Sequence, residues 1–149
     1  EVQAVLRQVD LFSPDLGEGQ MLTGEQAPER ILDKLVGWGG RLVALRMGAQ
    51  GSLVATADGA RYHVPAVPAT IVDVTGAGNA YCGGFLVGLG SRLGVAEAAA
   101  RAAVSASFAL EQFGVPPFTA EKQAEAARRL AWAQARIEPG IGAVTLSEL

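Results

Sequence analysis

The chain has 149 residues, half of them hydrophobic, with a formal net charge of -3 and an isoelectric point near 5.1. This length allows one α/β domain with its own core, and the acidic balance lacks the basic field of a nucleic-acid-binding domain, so we expect no nucleic-acid partner. A single cysteine, Cys82, argues against an internal disulfide or a multi-cysteine metal site. The sequence shows no run of about 20 apolar residues and no signal pattern, which predicts a cytoplasmic protein without membrane contact.

Apolar periodicity predicts an alternation of strands and helices. The predicted strands lie at 9–12, 41–45, 52–56 and 60–64. The predicted helices, after the end of one at residues 1–8, lie at 28–38, 76–90, 95–113 and 119–135. We expect a loop at residues 15–24 and a hairpin turn at Asp58-Gly59. Pro28 and Thr119 are residue types that favour the start of a helix. The pattern favours an α/β fold with helices layered on a sheet that has an antiparallel edge.

A turn of small residues opens the helix predicted at 76–90. The segment from Asp73 to Tyr81 reads D-V-T-G-A-G-N-A-Y. Glycine lets the backbone approach an anion closely, and the first N–H groups of a helix are unpaired and lie at the positive end of its dipole. The turn therefore predicts a phosphate-binding site. The alternative is a tight strand-to-helix corner that binds no ligand.

The segment D-V-T-G-A-G-N-A-Y-C-G-G-F, residues 73–85, resembles the signature of the ribokinase-like (PfkB) carbohydrate kinases, D-x-T-G-A-G-D followed by an aromatic and small residues. The resemblance implies an anion hole for the transferred γ-phosphate at Gly76, Ala77 and Gly78. It places Asp73 in a monovalent-cation site, with K⁺ as the candidate ion. It also implies ATP and Mg²⁺ as cofactors and a sugar or nucleoside as the hydroxylated substrate.

Two other segments resemble motifs of the same family, in the family's order. Residues 12–18 look like the N-x-x-E motif, in which Glu18 would organise Mg²⁺ through water and Asp15 replaces the asparagine beside the nucleotide. The small residues 102–107, with Ala103 among them, look like the helix that borders adenine. The alternatives are that Glu18 is an exposed loop acid and that the small residues only allow helices to pack closely.

Residues 46–51 are similar to the T-L-G-x-x-G stretch that passes under the nucleotide. Gly48 and Gly51 match this motif, and Arg46 replaces its threonine. The two glycines could instead only shape a hairpin. Arginine carries a fixed charge, so Arg46 could bind a phosphate through two hydrogen bonds, or could pair with Asp15 and fill part of the nucleotide site.

Asn79 stands where the family keeps the aspartate that takes a proton from the sugar hydroxyl. Its amide has no usable basicity near neutral pH, although it still forms hydrogen bonds. A general base typically contributes ~10²–10⁴-fold, so its loss leaves phosphate positioning and a slow kinase as an open hypothesis. The structural alternative is that Asn79 caps the helix.

The resemblance covers essentially the whole chain and implies that residues 1–149 are the C-terminal, nucleotide-binding part of a longer ribokinase-like kinase domain. Three hypotheses follow. The first is a slow ATP-dependent phosphotransferase with an alcohol group as acceptor. The second is a non-catalytic nucleotide-binding module of the pseudokinase kind. The third is a structural domain that uses an exposed sheet edge and binds no nucleotide. Self-association is left open.

Overall fold

The computed structural model describes residues 1–140, so the end of the predicted domain, 141–149, lies outside the described residues. The described residues form two compact units. The sheet unit consists of Glu1–Gly48, Ser52–His63 and 138–140, and the helical unit consists of Ala49–Gly51 and Val64–Ile137. Together they contain helices and strands of an α/β protein, as the sequence predicts.

The sheet unit carries four strands and three helices. Its strands are β1 (Leu42–Arg46), β2 (Ser52–Thr56), β3 (Arg61–Val64) and β4 (Glu138–Pro139), hydrogen-bonded in the order β1-β2-β3-β4. Its helices are α1 (Val2–Leu6), α2 (Leu16–Thr23) and α3 (Pro28–Gly37). The pairs β1–β2 and β3–β4 are antiparallel, with Leu42 opposite Thr56 and His63 opposite Glu138. The helix end, the three later strands and the helix that starts at Pro28 are thereby confirmed.

The core of the sheet unit lies between α3 and the strands. Apolar residues recur along one face of α3, as in an amphipathic helix, and this face is buried against β1 and β2. Full burial of each such side chain stabilises the fold by about 1.5–3 kcal/mol. The buried members of the cluster are Leu6, Ile31, Leu32, Leu35, Val43, Leu45 and Ala55.

Two local predictions in this unit are wrong. The run 9–12 is not a strand, and within it Phe12 forms an isolated parallel bridge to Val43. Ser13 and Pro14 separate this bridge from the next one, between Asp15 and Arg46, because proline has no N–H with which to continue a ladder. The loop predicted at 15–24 is the helix α2.

The helical unit contains α4 (Ala77–Gly90), α5 (Val95–Leu110) and α6 (Ala120–Gln134), which confirm the three predicted helices. The hydroxyl of Thr119 accepts the N–H of Lys122 at 3.2 Å and caps α6 as predicted. Helices α4 and α5 approach closely because α4 has glycines at the contact. A Cβ added at Gly88 would lie 2.7 Å from the Cβ of Ala98. Within residues 1–140, no helix combines the length and apolar character needed to span a bilayer.

Candidate functional site

Asp15 and Glu18 cap the start of α2 reciprocally. An Asp15 carboxylate oxygen accepts the N–H of Glu18 at 2.8 Å, and Glu18 Oε2 accepts the N–H of Asp15 at 2.7 Å. Such a cap is worth about 0.5–2 kcal/mol and supports a helix that Gly17 and Gly19 would otherwise weaken. The spacing D-x-x-E is a capping-box pattern, and it is the signal by which α2 could have been found in the sequence.

Arg46, the last residue of β1, reaches the same helix start. Its Nε and Nη2 donate to the carbonyl oxygen of Ser13 at 3.3 and 3.1 Å, and Nη2 lies 3.5 Å from Glu18 Oε2. The Arg46 backbone N–H donates to the carbonyl of Pro14 at 2.9 Å. The structure thus brings Asp15, Glu18 and Arg46 together, and the acid that pairs with the guanidinium is Glu18. The Ser13 carbonyl is a partner that the sequence motifs did not indicate.

The surroundings of Glu18 do not fit a magnesium ion. Its Oε2 already accepts an N–H and faces the Arg46 guanidinium, whose charge repels a second cation. Magnesium is held by carboxylates together with water or phosphate, and the described residues contain no group of three or more His, Cys, Asp or Glu side chains that could hold a metal ion. The magnesium role that the resemblance implies for Glu18 therefore stays a prediction that these contacts argue against, and no step of the proposed reaction depends on it.

The glycine turn lies at the start of α4. Gly76 is the N-cap residue with φ of 84°, a left-handed conformation that glycine adopts without strain, and no side chain caps this helix. Ala77, Gly78 and Asn79 are its first three residues. The N–H of Ala77 donates to the carbonyl of Val74 at 3.3 Å, whereas the N–H groups of Gly78 and Asn79 have no partner within the helix, so the turn can donate these two to an anion. The alternative that Asn79 is the cap is wrong, because Gly76 holds that position.

Asp73 precedes this turn and is fixed by its own loop. Its carboxylate accepts the N–H of Thr75 at 3.0 Å, and its backbone N–H donates to the carbonyl of Leu110 at 3.2 Å, which ties the loop to the end of α5. Hydrogen bonds from the Thr75 N–H and hydroxyl hold the pKa of Asp73 below its ordinary value of 3.8. Asp73 is therefore an anion at neutral pH, which suits a cation ligand, and its monovalent-cation role stays a prediction.

Backbone conformation accounts for Gly48, which has φ of 59°, and packing accounts for Gly51 and Ala103, without a ligand. Gly48 opens a 3₁₀ turn, Gly48–Gln50, that follows β1. Gly51 has φ of 83°, and an added Cβ would collide with the carbonyl oxygen of Val64 and lie 2.8 Å from the nitrogen of Ala66. Ala103 is buried in α5, where small residues allow close helix packing. Nucleotide contacts at these positions stay predictions.

The sequence matches the family model described as pfkB family carbohydrate kinase over residues 1–122. The chain is 37% identical over 90 residues to the cytidine kinase of Thermococcus kodakarensis, which covers 58% of this chain and 32% of that protein. It is 33% identical over 107 residues to the ribokinase of Lactococcus lactis, with 71% of this chain and 34% of that protein covered. The chain thus spans about a third of the length of these curated relatives.

Among solved structures, the fold is similar to that of Arabidopsis thaliana ribokinase in complex with ribose and ATP. The TM-score is 0.74 at 24% identity, and the match covers 86% of this chain and 43% of that one. At this identity the likeness shows a ribokinase-like fold and nothing about ligands.

Proposed function

Because the chain belongs to the pfkB family of carbohydrate kinases, we propose that it is the C-terminal, nucleotide-binding part of a kinase that transfers phosphate from ATP to a hydroxyl group. The sugar or nucleoside acceptor would bind mainly to the rest of the protein, since the chain spans about a third of its curated relatives. Cytidine kinase and ribokinase are among those relatives, which supports a small hydroxylated acceptor.

The observation that carries the proposal is the start of α4, where a left-handed glycine is the N-cap and no side chain caps the helix. Helices α2 and α6 begin with side chains that accept first-turn N–H groups, whereas α4, like α3 and α5, has no side-chain cap. At α4 the N-cap is a left-handed glycine, and the next residues, Ala77 and Gly78, are small. This leaves the N–H groups of Gly78 and Asn79 for a phosphate, where the helix dipole favours negative charge. These residues match the family's anion hole in order and spacing.

Asn79 sets the expected rate. It occupies the third position of α4, where the family carries its base, and an amide cannot accept the proton of the attacking hydroxyl. The kinase is therefore proposed to be slow, with phosphate positioning retained. A second candidate function is a non-catalytic nucleotide-binding module. It is favoured by the ion pair of Arg46 with Glu18, which occupies the acid that the family uses to organise its metal.

Isothermal titration of ATP into the whole protein tests the proposal. A Gly78→Asp variant places a carboxylate beside the bound phosphates, and we expect ATP binding to weaken by at least about tenfold, or ~1.4 kcal/mol. Gly83→Asp is the matched control, because it makes the same change in the same helix at an exposed position where a Cβ meets no atom within 4 Å. Equal ATP affinity of the two variants would show that the glycine turn does not hold the phosphates.

A further inference from the structure

A fixed positive charge lies beside Glu18, the acid to which the family resemblance assigns magnesium. The Nη2 of Arg46 lies 3.5 Å from Glu18 Oε2, which also accepts the backbone N–H of Asp15 at 2.7 Å. The arginine is 25% exposed at its side chain, so it is held against the protein rather than extended into solvent. Arg46 therefore neutralises the acid that would otherwise attract a divalent cation.

Both members of the pair are held in place by the backbone around them. Two guanidinium N–H groups of Arg46 donate to the carbonyl of Ser13, and the hydroxyl of Ser13 donates to the carbonyl of Ala44 in β1 at 2.9 Å. Glu18 is fixed by its part in the α2 cap. Exposed ion pairs between free side chains contribute little, because ordering them costs entropy. Here the Arg46 and Glu18 side chains are already ordered, Arg46 by its contacts beside β1 and Glu18 by the α2 cap, so the Arg46 charge is held in place before any ligand binds.

Arginine can supply what a divalent cation supplies to a nucleotide, namely positive charge directed at phosphate oxygens. Its guanidinium is always charged and carries five N–H donors in a planar fork that matches phosphate geometry. The contacts to Ser13 and Glu18 use Nε and Nη2, and the fork has further donors. A magnesium ion beside the same carboxylate would be repelled by this charge.

We propose that Arg46 takes the place of magnesium at Glu18, so that the protein binds a nucleoside triphosphate without a divalent cation. The inference rests on the proposed nucleotide binding and adds that this binding needs no divalent cation. The ligand class is the metal-free triphosphate anion, and Arg46 is the residue that determines this preference. The chemistry of transfer is not involved, so binding alone tests the inference.

The test is ATP binding to the whole protein by isothermal titration, once with an excess of EDTA and once with an excess of Mg²⁺. For the unchanged protein we expect dissociation constants that agree within about threefold, well under the tenfold that ~1.4 kcal/mol represents. Arg46→Thr restores the family's residue at this position. In that variant we expect binding in EDTA to weaken at least about tenfold and to recover with Mg²⁺.

Arg41→Thr is the matched control. Arg41 immediately precedes β1, whereas Arg46 is its last residue. The Arg41 side chain is 65% exposed and pairs with Asp10. This variant loses the same charge near the same strand, and we expect it to bind ATP like the unchanged protein in both buffers. Arg46→Lys keeps the charge without the fork and should retain most of the metal-independent binding.

The outcomes separate the inference from the proposed function. Binding of ATP by the unchanged protein only when Mg²⁺ is present overturns the inference and leaves the proposed function standing. Metal-independent binding that Arg46→Thr does not alter also overturns the role of Arg46. A protein that binds ATP in neither buffer contradicts the proposed function, and the inference fails with it. The comparison of the unchanged protein in the two buffers does not depend on whether any variant folds.

Discussion

Arg129 of α6 binds both carboxylate oxygens of Glu111, the residue that caps the end of α5, at 2.9 Å each. The same guanidinium donates to the Ser107 hydroxyl at 2.9 Å and lies 4.3 Å from the ring centroid of Phe108. Both Glu111 oxygens accept from the same nitrogen, Nη2, and hydrogen bonds between two charged groups are stronger than those between neutral groups. Arg129 is 14% exposed and Glu111 is 24% exposed, so water screens this pair less than a surface pair. These contacts of Arg129 hold α6 against the C-terminal end of α5.

Replacing Arg129 should destabilise the helical unit. We expect Arg129→Met to lower the free energy of unfolding by about 1.5–3 kcal/mol, because it leaves the half-buried Glu111 carboxylate without its charged donor. Arg128→Met is the matched control. Arg128 is 67% exposed and pairs only at the surface with Glu125, so we expect no measurable loss. Urea unfolding of both variants gives the comparison. If Arg129→Met and Arg128→Met lower the free energy of unfolding equally, the α5–α6 ion pair contributes no more than a surface ion pair.

The contribution of Glu125 to the stability of the folded protein should depend on pH. Hydrogen bonds from Arg129, and then from Arg128, hold the pKa of Glu125 below its ordinary value of 4.5. A carboxylate whose pKa is lower in the folded state stabilises the fold above its ordinary pKa, and this contribution disappears as pH falls through the folded pKa. We therefore expect Glu125→Gln to be less stable than the unchanged protein at neutral pH. The difference should shrink below pH 4.5, as thermal melts across an acid series would show. A difference that stays constant with pH would contradict this assignment.

The close approach of α4 and α5 predicts opposite effects for two glycines of α4. In Gly88→Ala the new Cβ would lie 2.7 Å from both the Cα and the Cβ of Ala98, and overpacking of this kind costs about 1–3 kcal/mol. Gly83 is exposed, and a Cβ there meets no atom within 4 Å. Gly83→Ala should stabilise the protein by about 0.5–1 kcal/mol, because alanine is the better helix former. Denaturant midpoints distinguish the two, and a stabilised Gly88→Ala variant would show that α4 and α5 do not pack as described.

Asn79→Asp should raise the rate of phosphate transfer. The substitution restores a carboxylate at the third residue of α4, and the gain could approach ~10²-fold, the lower end for a general base. The fold should tolerate it, because an acidic residue in a first helical turn is favourable by about 0.3–1 kcal/mol. Coupled measurement of ATP turnover against a panel of sugars and nucleosides makes the comparison, with Asn79→Ala as the variant that restores no base. If Asn79→Asp binds ATP and stays inactive with every acceptor, loss of the base is not the sole defect.

Local sequence patterns were sufficient for most elements of the fold. The amphipathic face of α3, the turn at Asp58-Gly59 between β2 and β3 and the Thr119 cap each depend on residues a few positions apart, so their signals are complete within a short segment. The glycine turn is local in the same sense. The sequence thus determined that Gly76, Ala77 and Gly78 open a helix, and the structure added that no side chain caps it.

Helix α2 has a local signal in its D-x-x-E capping box, but the packing of α2 and the pairing of the run 9–12 depend on distant residues. Helix α2 contains two glycines, which usually disfavour a helix. One of them, Gly19, is needed for packing, because a Cβ there would lie 2.8 Å from a methyl group of Ile31 and 2.9 Å from a methyl group of Leu45. The run 9–12 is apolar enough for a strand, but pairing depends on what lies beside it, and within it the bridge forms at Phe12. Burial of apolar surface against another element is a property of the fold and cannot be read from one segment.

The partners of the charged side chains were likewise decided by tertiary structure. The sequence determined that Arg46 replaces a threonine and carries a permanent charge, and it left phosphate and Asp15 as partners. Only the folding of β1 beside the start of α2 brings its guanidinium to the Ser13 carbonyl and to Glu18. The fork of Arg129 likewise reaches Glu111 only because α6 packs on α5. A side chain's charge is fixed by its chemistry, but its partner is fixed by distance, and distances between residues far apart in the chain exist only once the chain has folded.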